Sequence, residues 1–226
     1  MKNNKDFNVV MFGLNGTRWL ANRLLHAVME EKGFNVSSVF FRENYQSWTP
    51  VEEVERELVI QMLDKLKPDF VTFSLTSFYV NEAKELTQLI KAKYNVPVLW
   101  GGIHPSLNPD KCLKYADMVC IGEGEGPLPE LAESIRKGEN RTDIQSIWFK
   151  KDGKIIKNGN RALVEDFDSL PAPDFSNKNM YFIVDNKLHE EFNPSPYYKY
   201  EYNVLTCRGC PFMCTYCSSH KTSKFC

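Results

Sequence analysis

Pro68-Asp69-Phe70-Val71-Thr72-Phe73-Ser74-Leu75 is the stretch on which the fold turns. From Phe70 to Leu75 the residues are mostly apolar and β-favouring, and the run is too short for a helix. Before it, Val51, Val54, Leu58, Met62 and Leu66 recur at the spacing of one helical face; after it, Ala83, Leu86 and Ile90 do the same. A short strand between two amphipathic helices is the middle of a βαβ repeat.

Outward from there the repeat continues. Strands are predicted over residues 8–12, 36–41, 70–75, 97–100 and 118–121. Leu20, Leu24, Ala27 and Val28 form another helical stripe, and Leu128, Leu131, Ala132 and Ile135 a further one, with Pro127 suited to a first helical turn. Crossovers of this length imply parallel strands joined by right-handed connections. The fold class is therefore α/β, a doubly wound parallel sheet of five strands, flavodoxin- or Rossmann-like, over residues 1–138. Such sheets bind ligands beyond the carboxyl ends of their strands. The loops at those ends are residues 13–18, 42–49, 76–79, 101–108 and 122–126.

Past Gly138 the pattern changes. Residues 146–150 and 154–157 flank the turn pair Asp152-Gly153, which predicts a small β-hairpin inside a linker over residues 139–200. Within it, residues 166–173 are punctuated by Pro171 and Pro173, and a polar, tyrosine-rich stretch follows. A last strand is predicted over residues 202–206, feeding a cysteine-rich loop at the start of a second domain, 201–226.

Of 226 residues, 42% are hydrophobic and 25% charged, with a formal net charge of -1, so neither a nucleic-acid nor an anionic-membrane partner is indicated. No apolar run approaches the ~20 residues a bilayer-spanning helix needs. The polar start runs straight into a strand and does not read as a signal peptide. Seven cysteines is an odd number, and four of them fall between Cys207 and Cys217. Clustering in a βα-type chain favours metal binding in a reducing, cytoplasmic setting over a disulfide framework. Cys112 and Cys120 read as apolar packing residues.

The crowded segment is Thr206-Cys207-Arg208-Gly209-Cys210-Pro211-Phe212-Met213-Cys214-Thr215-Tyr216-Cys217. Cys210, Cys214 and Cys217 stand in a C-x3-C-x2-C frame. Three thiolates can hold three irons of a 4Fe-4S cluster and leave the fourth open for chemistry. With Cys207 added, the same residues could form a four-thiolate zinc knot or a closed electron-transfer cluster. Zinc sites usually draw their ligand pairs from separate turns, and four ligands within eleven residues leave little chain to wrap a tetrahedral ion.

This segment resembles the cluster motif of radical S-adenosylmethionine (SAM) enzymes, including the Arg-Gly-Cys-Pro-Phe lead-in and an aromatic residue, Tyr216, before the last cysteine. The resemblance implies that Cys210, Cys214 and Cys217 bind the cluster, that its open iron binds SAM, and that the backbone of Tyr216 lies beside the adenine. It also implies reductive cleavage of SAM to a 5′-deoxyadenosyl radical and a reducing partner such as flavodoxin or ferredoxin. Cys207 departs from the serine common in relatives.

The rest of the chain resembles the cobalamin-binding domain that precedes this motif in part of that superfamily. The likeness lies in Pro68-Asp69-Phe70-Val71-Thr72-Phe73-Ser74, in Val98-Leu99-Trp100-Gly101-Gly102-Ile103-His104-Pro105-Ser106, and in Ala116-Asp117-Met118-Val119-Cys120-Ile121-Gly122-Glu123-Gly124-Glu125. Glycines there would let backbone approach a flat macrocycle without Cβ clashes. Ser74, Thr76 and Ser77 are candidates to hydrogen-bond the cobalamin tail or corrin amides. Leu14, Asn15, Gly101, Gly102, His104, Gly122, Glu123 and Gly124 complete the candidate cofactor-binding residues. The loop Gly13-Leu14-Asn15-Gly16-Thr17-Arg18 has no histidine, so none from that loop is expected beneath the cobalt. His104 is more simply read as a loop histidine capping backbone.

The expectation is thus the N-terminal portion of a cobalamin-dependent radical SAM enzyme, ending nine residues past Cys217 and lacking about 200 residues of a catalytic barrel, hence inactive alone. Methyl transfer to an unactivated atom of a small-molecule or peptide substrate is the leading reaction. Rearrangement or cyclisation is an alternative. So is a non-catalytic corrinoid-binding module with structural zinc.

Overall fold

The computed structural model describes residues 6–14, 16, 19–42, 49–194, 208–210, 212 and 214–218. The candidate residue Asn15, Cys207, the predicted strand at 202–206, and most of the loops at 13–18 and 42–49 lie outside the described residues.

Five parallel strands form as the periodicity predicts: β1 (Asn8–Gly13), β2 (Asn35–Phe41), β3 (Phe70–Ser74), β4 (Val98–Gly101) and β5 (Met118–Cys120). They lie in the order β5-β4-β3-β1-β2, the flavodoxin-like arrangement, with the switch in direction between β1 and β3. The crossovers are α1 (Leu20–Glu31), α2 (Glu53–Leu66) and α3 (Val80–Lys93), then two short helices, α4 (Ile103–Leu107) and α5 (Pro109–Cys112). After β5 comes α6 (Pro127–Arg136), with Pro127 in its first turn.

Alternation along the strands assigns each residue to a face. Val10, Phe12, Val71, Phe73, Val98, Trp100 and Val119 pack with α2 and α3; Val9, Met11, Phe70, Leu99, Met118 and Cys120 pack with α1 and α6. The stripe predicted on α2 holds at Val51, Leu58, Met62 and Leu66, which pack in or against the core, and fails at one position. Val54 is 46% exposed, whereas Glu55, Val59 and Leu63 are buried. Glu55 turns inward because its carboxylate accepts two hydrogen bonds from Arg42 (2.6 and 2.7 Å) and one from the backbone N–H of Glu52 (2.8 Å).

The segment after Gly138 builds both edges of this same sheet. The predicted hairpin forms as β6 (Ile147–Lys151) and β7 (Lys154–Ile156), and β6 pairs antiparallel with β5. Its turn has Asp152 and Gly153 both at positive φ (50° and 74°), the conformation a two-residue hairpin favours. At the opposite edge β8 (Met180–Val184) adds parallel to β2, and β9 (Lys187–Glu190) returns antiparallel through Asp185 and Asn186. In the sequence these two strands read only as part of a polar, tyrosine-rich stretch. The result is one nine-stranded sheet, β7-β6-β5-β4-β3-β1-β2-β8-β9. No helix among the described residues is long and apolar enough to cross a membrane.

Candidate cofactor cleft and cysteine loop

The two faces of the sheet differ at its carboxyl edge. On the α2–α3 face, Phe12, Phe73 and Trp100 fill the space and are fully buried. On the other face the last residues of β1, β3 and β4 are Gly13, Ser74 and Gly101, set side by side by the register Gly13↔Ser74 and Ser74↔Gly101. The Asn22 side chain of α1 fills the space over Gly13, while Ser74 and Gly101 leave a hollow between the sheet and helices α1 and α6. It opens into a cleft of about 1060 Å³. Leu20, Leu24, Leu25 and Leu128 supply apolar walls, Thr72 and Ser74 polar points on the floor, and residues 165–173 a cover.

Two hydroxyls, one on the floor and one behind the rim, are held by hydrogen bonds. The Ser74 hydroxyl accepts a hydrogen bond from Trp19 Nε1 (2.9 Å), which leaves its own proton to donate. Buried Ser106 donates to the carbonyl of Gly102 (2.8 Å) and accepts from the N–H of Gly122 (3.0 Å), tying the loop after β4 to the loop after β5. In the sequence Ser106 stands only as the last residue of a motif; its bridging role needs the two loops to be neighbours.

The glycines divide by function. Gly102 has φ +98°, and a Cβ there would lie 2.7 Å from the carbonyl oxygen of Leu75, so this glycine serves the packing of two loops rather than a ligand. Gly122 (φ +77°) has nothing within 4 Å of a would-be Cβ and faces the cleft. Gly124 rests against Leu25 of α1, 3.1 Å from a Cβ position. Gly101 meets only ordinary contacts and also lines the cleft.

The acidic residues of the loop after β5 point to the cysteines. Arg208, two residues before Cys210, donates to Glu123 Oε1 (2.7 Å) and Glu125 Oε1 (2.6 Å), and its guanidinium lies over the Phe167 ring at 4.9 Å. Glu123 Oε2 accepts from the backbone N–H of Val164 (2.9 Å). One loop thus fastens both the proline-rich cover and the entry to the cysteine segment. Arg208 lines the cleft itself. Cys210, Cys214 and Cys217 are partly exposed on a turn in which the N–H of Cys217 donates to the carbonyl of Cys214 (3.1 Å). Phe212 and Tyr216 are 70% and 91% exposed.

Of the candidate cofactor residues, Ser74, Gly101, Gly102, Gly122, Glu123 and Gly124 line the cleft. Leu14 does not; it is fully buried in the core, its N–H donating to the carbonyl of Ser74 (3.1 Å) as an extension of the β1–β3 ladder. Ser77 and His104 hydrogen-bond each other (2.9 Å) outside the cleft lining. Burial, then Lys111 and Lys84, push the His104 pKa down, which keeps the ring neutral. Thr76 Oγ1 is buried without a hydrogen-bond partner. Residues missed in the sequence are the α1 wall, residues 165–173 and Arg208; the Asp166–Pro173 run carried a signal as a linker but none that placed it over the sheet.

A large hollow with apolar walls, a glycine-rich rim and hydroxyl donors on its floor suits a bulky amphiphilic ligand. The flavodoxin-like α/β domain with its cleft at the switch edge defines the class. The B12 binding domain family matches residues 16–132, and this chain belongs to it.

Several relatives share the fold or the sequence pattern. An uncharacterized methyltransferase of Pyrococcus horikoshii is 28% identical over 165 residues, 71% of this chain and 34% of that protein. The anaerobic magnesium-protoporphyrin IX monomethyl ester cyclase of Rubrivivax gelatinosus is 24% identical, covering 75% of this chain and 30% of that protein. Among solved structures, the radical SAM methyltransferase TsrM of Kitasatospora setae, with cobalamin and a 4Fe-4S cluster bound, superposes with a TM-score of 0.59 at 18% identity, over 76% of this chain and 32% of that one. The cobalamin-dependent SAM radical enzyme OxsB with aqua-cobalamin bound gives 0.60 at 19% identity, over 74% and 24%. The chain therefore spans about a third of the length of the curated relatives it matches.

Proposed function

We propose that this chain is the cofactor-binding part of a cobalamin-dependent radical SAM enzyme that transfers a methyl group to an unactivated substrate atom. Cobalamin is assigned to the cleft over β3, β4 and β5, a 4Fe-4S cluster to Cys210, Cys214 and Cys217, and SAM to the cluster's open iron beside Tyr216. Bound together, these groups supply an organic radical and a transferable methyl, which protein side chains cannot. The chain's own residues seat and exclude. Ser74 offers its hydroxyl proton to the ligand, Gly101 and Gly122 admit it without a Cβ, and residues 165–173 cover it from water.

The single observation that carries this reading is Arg208. It ties the cysteine segment to Glu123 and Glu125, on the same loop that rims the cleft, so a cluster there stands at the cleft's mouth. The curated relatives bear names from two reaction types, methyltransferase and cyclase; the adopted reading is methyl transfer, with a flavodoxin or ferredoxin as electron donor. Substrate is a small molecule or peptide held largely by chain outside this sequence.

Anaerobic reconstitution tests the assignment in two independent measurements. About four irons and four sulfides per chain are expected, lost on replacing Cys210, Cys214 and Cys217 by serine. A red corrinoid is expected to co-elute in gel filtration, and Ser74→Leu, which fills the hollow, abolishes that while leaving iron content unchanged. One zinc without sulfide, lost on replacing Cys207, Cys210, Cys214 and Cys217 by serine, would instead establish the corrinoid carrier with a zinc knot. Labelled methyl from SAM appearing in product, with the complete enzyme, separates methyl transfer from cyclisation.

A further inference from the structure

On the side of α1 that faces β2, the His26 side chain is fully buried. Its Nδ1 is 2.9 Å from the hydroxyl of Ser38 on β2, which fixes the ring's orientation. Its other nitrogen, Nε2, is buried and makes no hydrogen bond. That nitrogen faces two carboxylates: Glu30 Oε1 at 3.5 Å, one helical turn along α1, and Asp174 Oδ2 at 3.9 Å, at the end of the proline-rich run. The three atoms all lie within 4.8 Å of one another.

We propose that His26 Nε2, Glu30 and Asp174 form a binding site for a divalent cation of the zinc type, separate from the cysteine loop. Ligand atoms on a tetrahedral ion with bonds near 2.1 Å stand about 3.4 Å apart. The observed 3.5 and 3.9 Å lie near that separation and are longer than the 2.7–3.2 Å of a well-formed hydrogen bond. One imidazole with two carboxylates is a donor set for zinc or manganese; the soft thiolates of the cysteine loop are not needed.

The surroundings fit a metal ligand's outer shell. Ser38 fixes the ring plane so that Nε2 faces the two carboxylates, and its hydroxyl can accept from Nδ1–H when Nε2 is the ligand. Asp174 is oriented by Ser176, whose N–H and hydroxyl donate to its two oxygens at 2.6 and 3.1 Å. Arg23 lies close enough to weigh against a cation, but two carboxylates outweigh one guanidinium. The Glu30 side chain is 39% exposed, so the site has an entry path and room for water in the remaining positions.

The consequence is mechanical. Asp174 directly follows the residues 165–173 that cover the cleft. A cation held between Asp174 and α1 fastens that cover at its C-terminal end, as Glu123 and Arg208 fasten it near its start.

Manganese(II) is the probe of choice, because it avoids thiolates and its free ion is counted by electron paramagnetic resonance. The intact chain is expected to take up one equivalent, to release it to excess zinc, and to gain thermal stability with added metal. Glu30→Gln and Asp174→Asn each weaken uptake at least tenfold and abolish the thermal shift. Glu30→Gln is near-isosteric and partly exposed, so it remains decisive should changes at His26 prevent folding. Manganese broadening that is strongest at the His26 ring protons and fades with distance from them would place the ion. Absence of uptake, or uptake and thermal shift unchanged in both carboxylate variants, overturns the site, and a His26 ring that only gains a proton does so as well. None of these outcomes depends on cobalamin or the iron–sulfur cluster.

Discussion

Two glycines with positive φ separate steric need from conformational need. At Gly102 a methyl would strike Leu75 backbone at 2.7 and 2.9 Å, atoms that belong to the end of a central strand and have no room to yield. Gly102→Ala is expected to lower stability by about 2–3 kcal/mol in urea unfolding. Gly122→Ala meets open space and bears only the left-handed backbone penalty, about 1 kcal/mol. Cysteines divide in the same manner. Burial pushes the thiols of Cys112 and Cys120 up to about 12, so almost no thiolate exists at pH 8. Iodoacetamide at that pH, followed by peptide mass spectrometry, should leave both unlabelled until denaturant is added, while Cys210, Cys214 and Cys217 react. The sequence reading of those two as packing residues agrees with their burial, 1% and 4% exposed.

At the scale of elements, α6 shows what a surface pair contributes. Arg136, one turn along, and then Lys137 hold the Glu133 carboxyl down at about 2. Because the folded value lies below the ordinary 4.5, the pair stabilises above that value and its contribution disappears as pH falls toward 2. Glu133→Gln should therefore melt slightly lower than the parent at pH 7, with the gap closing between pH 4.5 and 2 and shrinking in high salt, as calorimetry would show. Element prediction succeeded wherever periodicity was undisturbed, as in α1, α3 and α6. On α2 it slipped at one residue, because an ion pair, Arg42 with Glu55, turned a charged residue inward and left Val54 outside. It missed β8 although Tyr181-Phe182-Ile183-Val184 is a continuous apolar run before an Asp-Asn turn. That run is short, and pairing with β2 on one side and β9 on the other makes it a strand.

For the whole molecule, the decisive contact is that of Arg208 with Glu123 and Glu125, side chains 22%, 17% and 8% exposed. Arg208→Met removes both ion pairs and leaves two carboxylates facing apolar surface. Hydrogen exchange in residues 164–175 and in the cysteine turn should quicken tenfold or more, whereas the urea midpoint of the nine-stranded sheet stays close to the parent's. Equal acceleration throughout the sheet would show instead that the contact supports global stability. Corrinoid retention in Arg208→Met is expected to fall, since the cover over the cleft loses an anchor.

The chain by itself determined the five parallel strands, their helices, the hairpin at Asp152-Gly153 and the cysteine spacing, because each is written in local periodicity or in residues a few positions apart. Only the tertiary structure decided that residues after Gly138 complete both edges of the sheet, that Ser74 and Gly101 align into a hollow, and that Arg208, His26 and Asp174 meet partners 83 to 148 residues away. Such meetings depend on strand order and register, which arise from packing helices on two faces of one sheet and leave no periodic trace in the sequence.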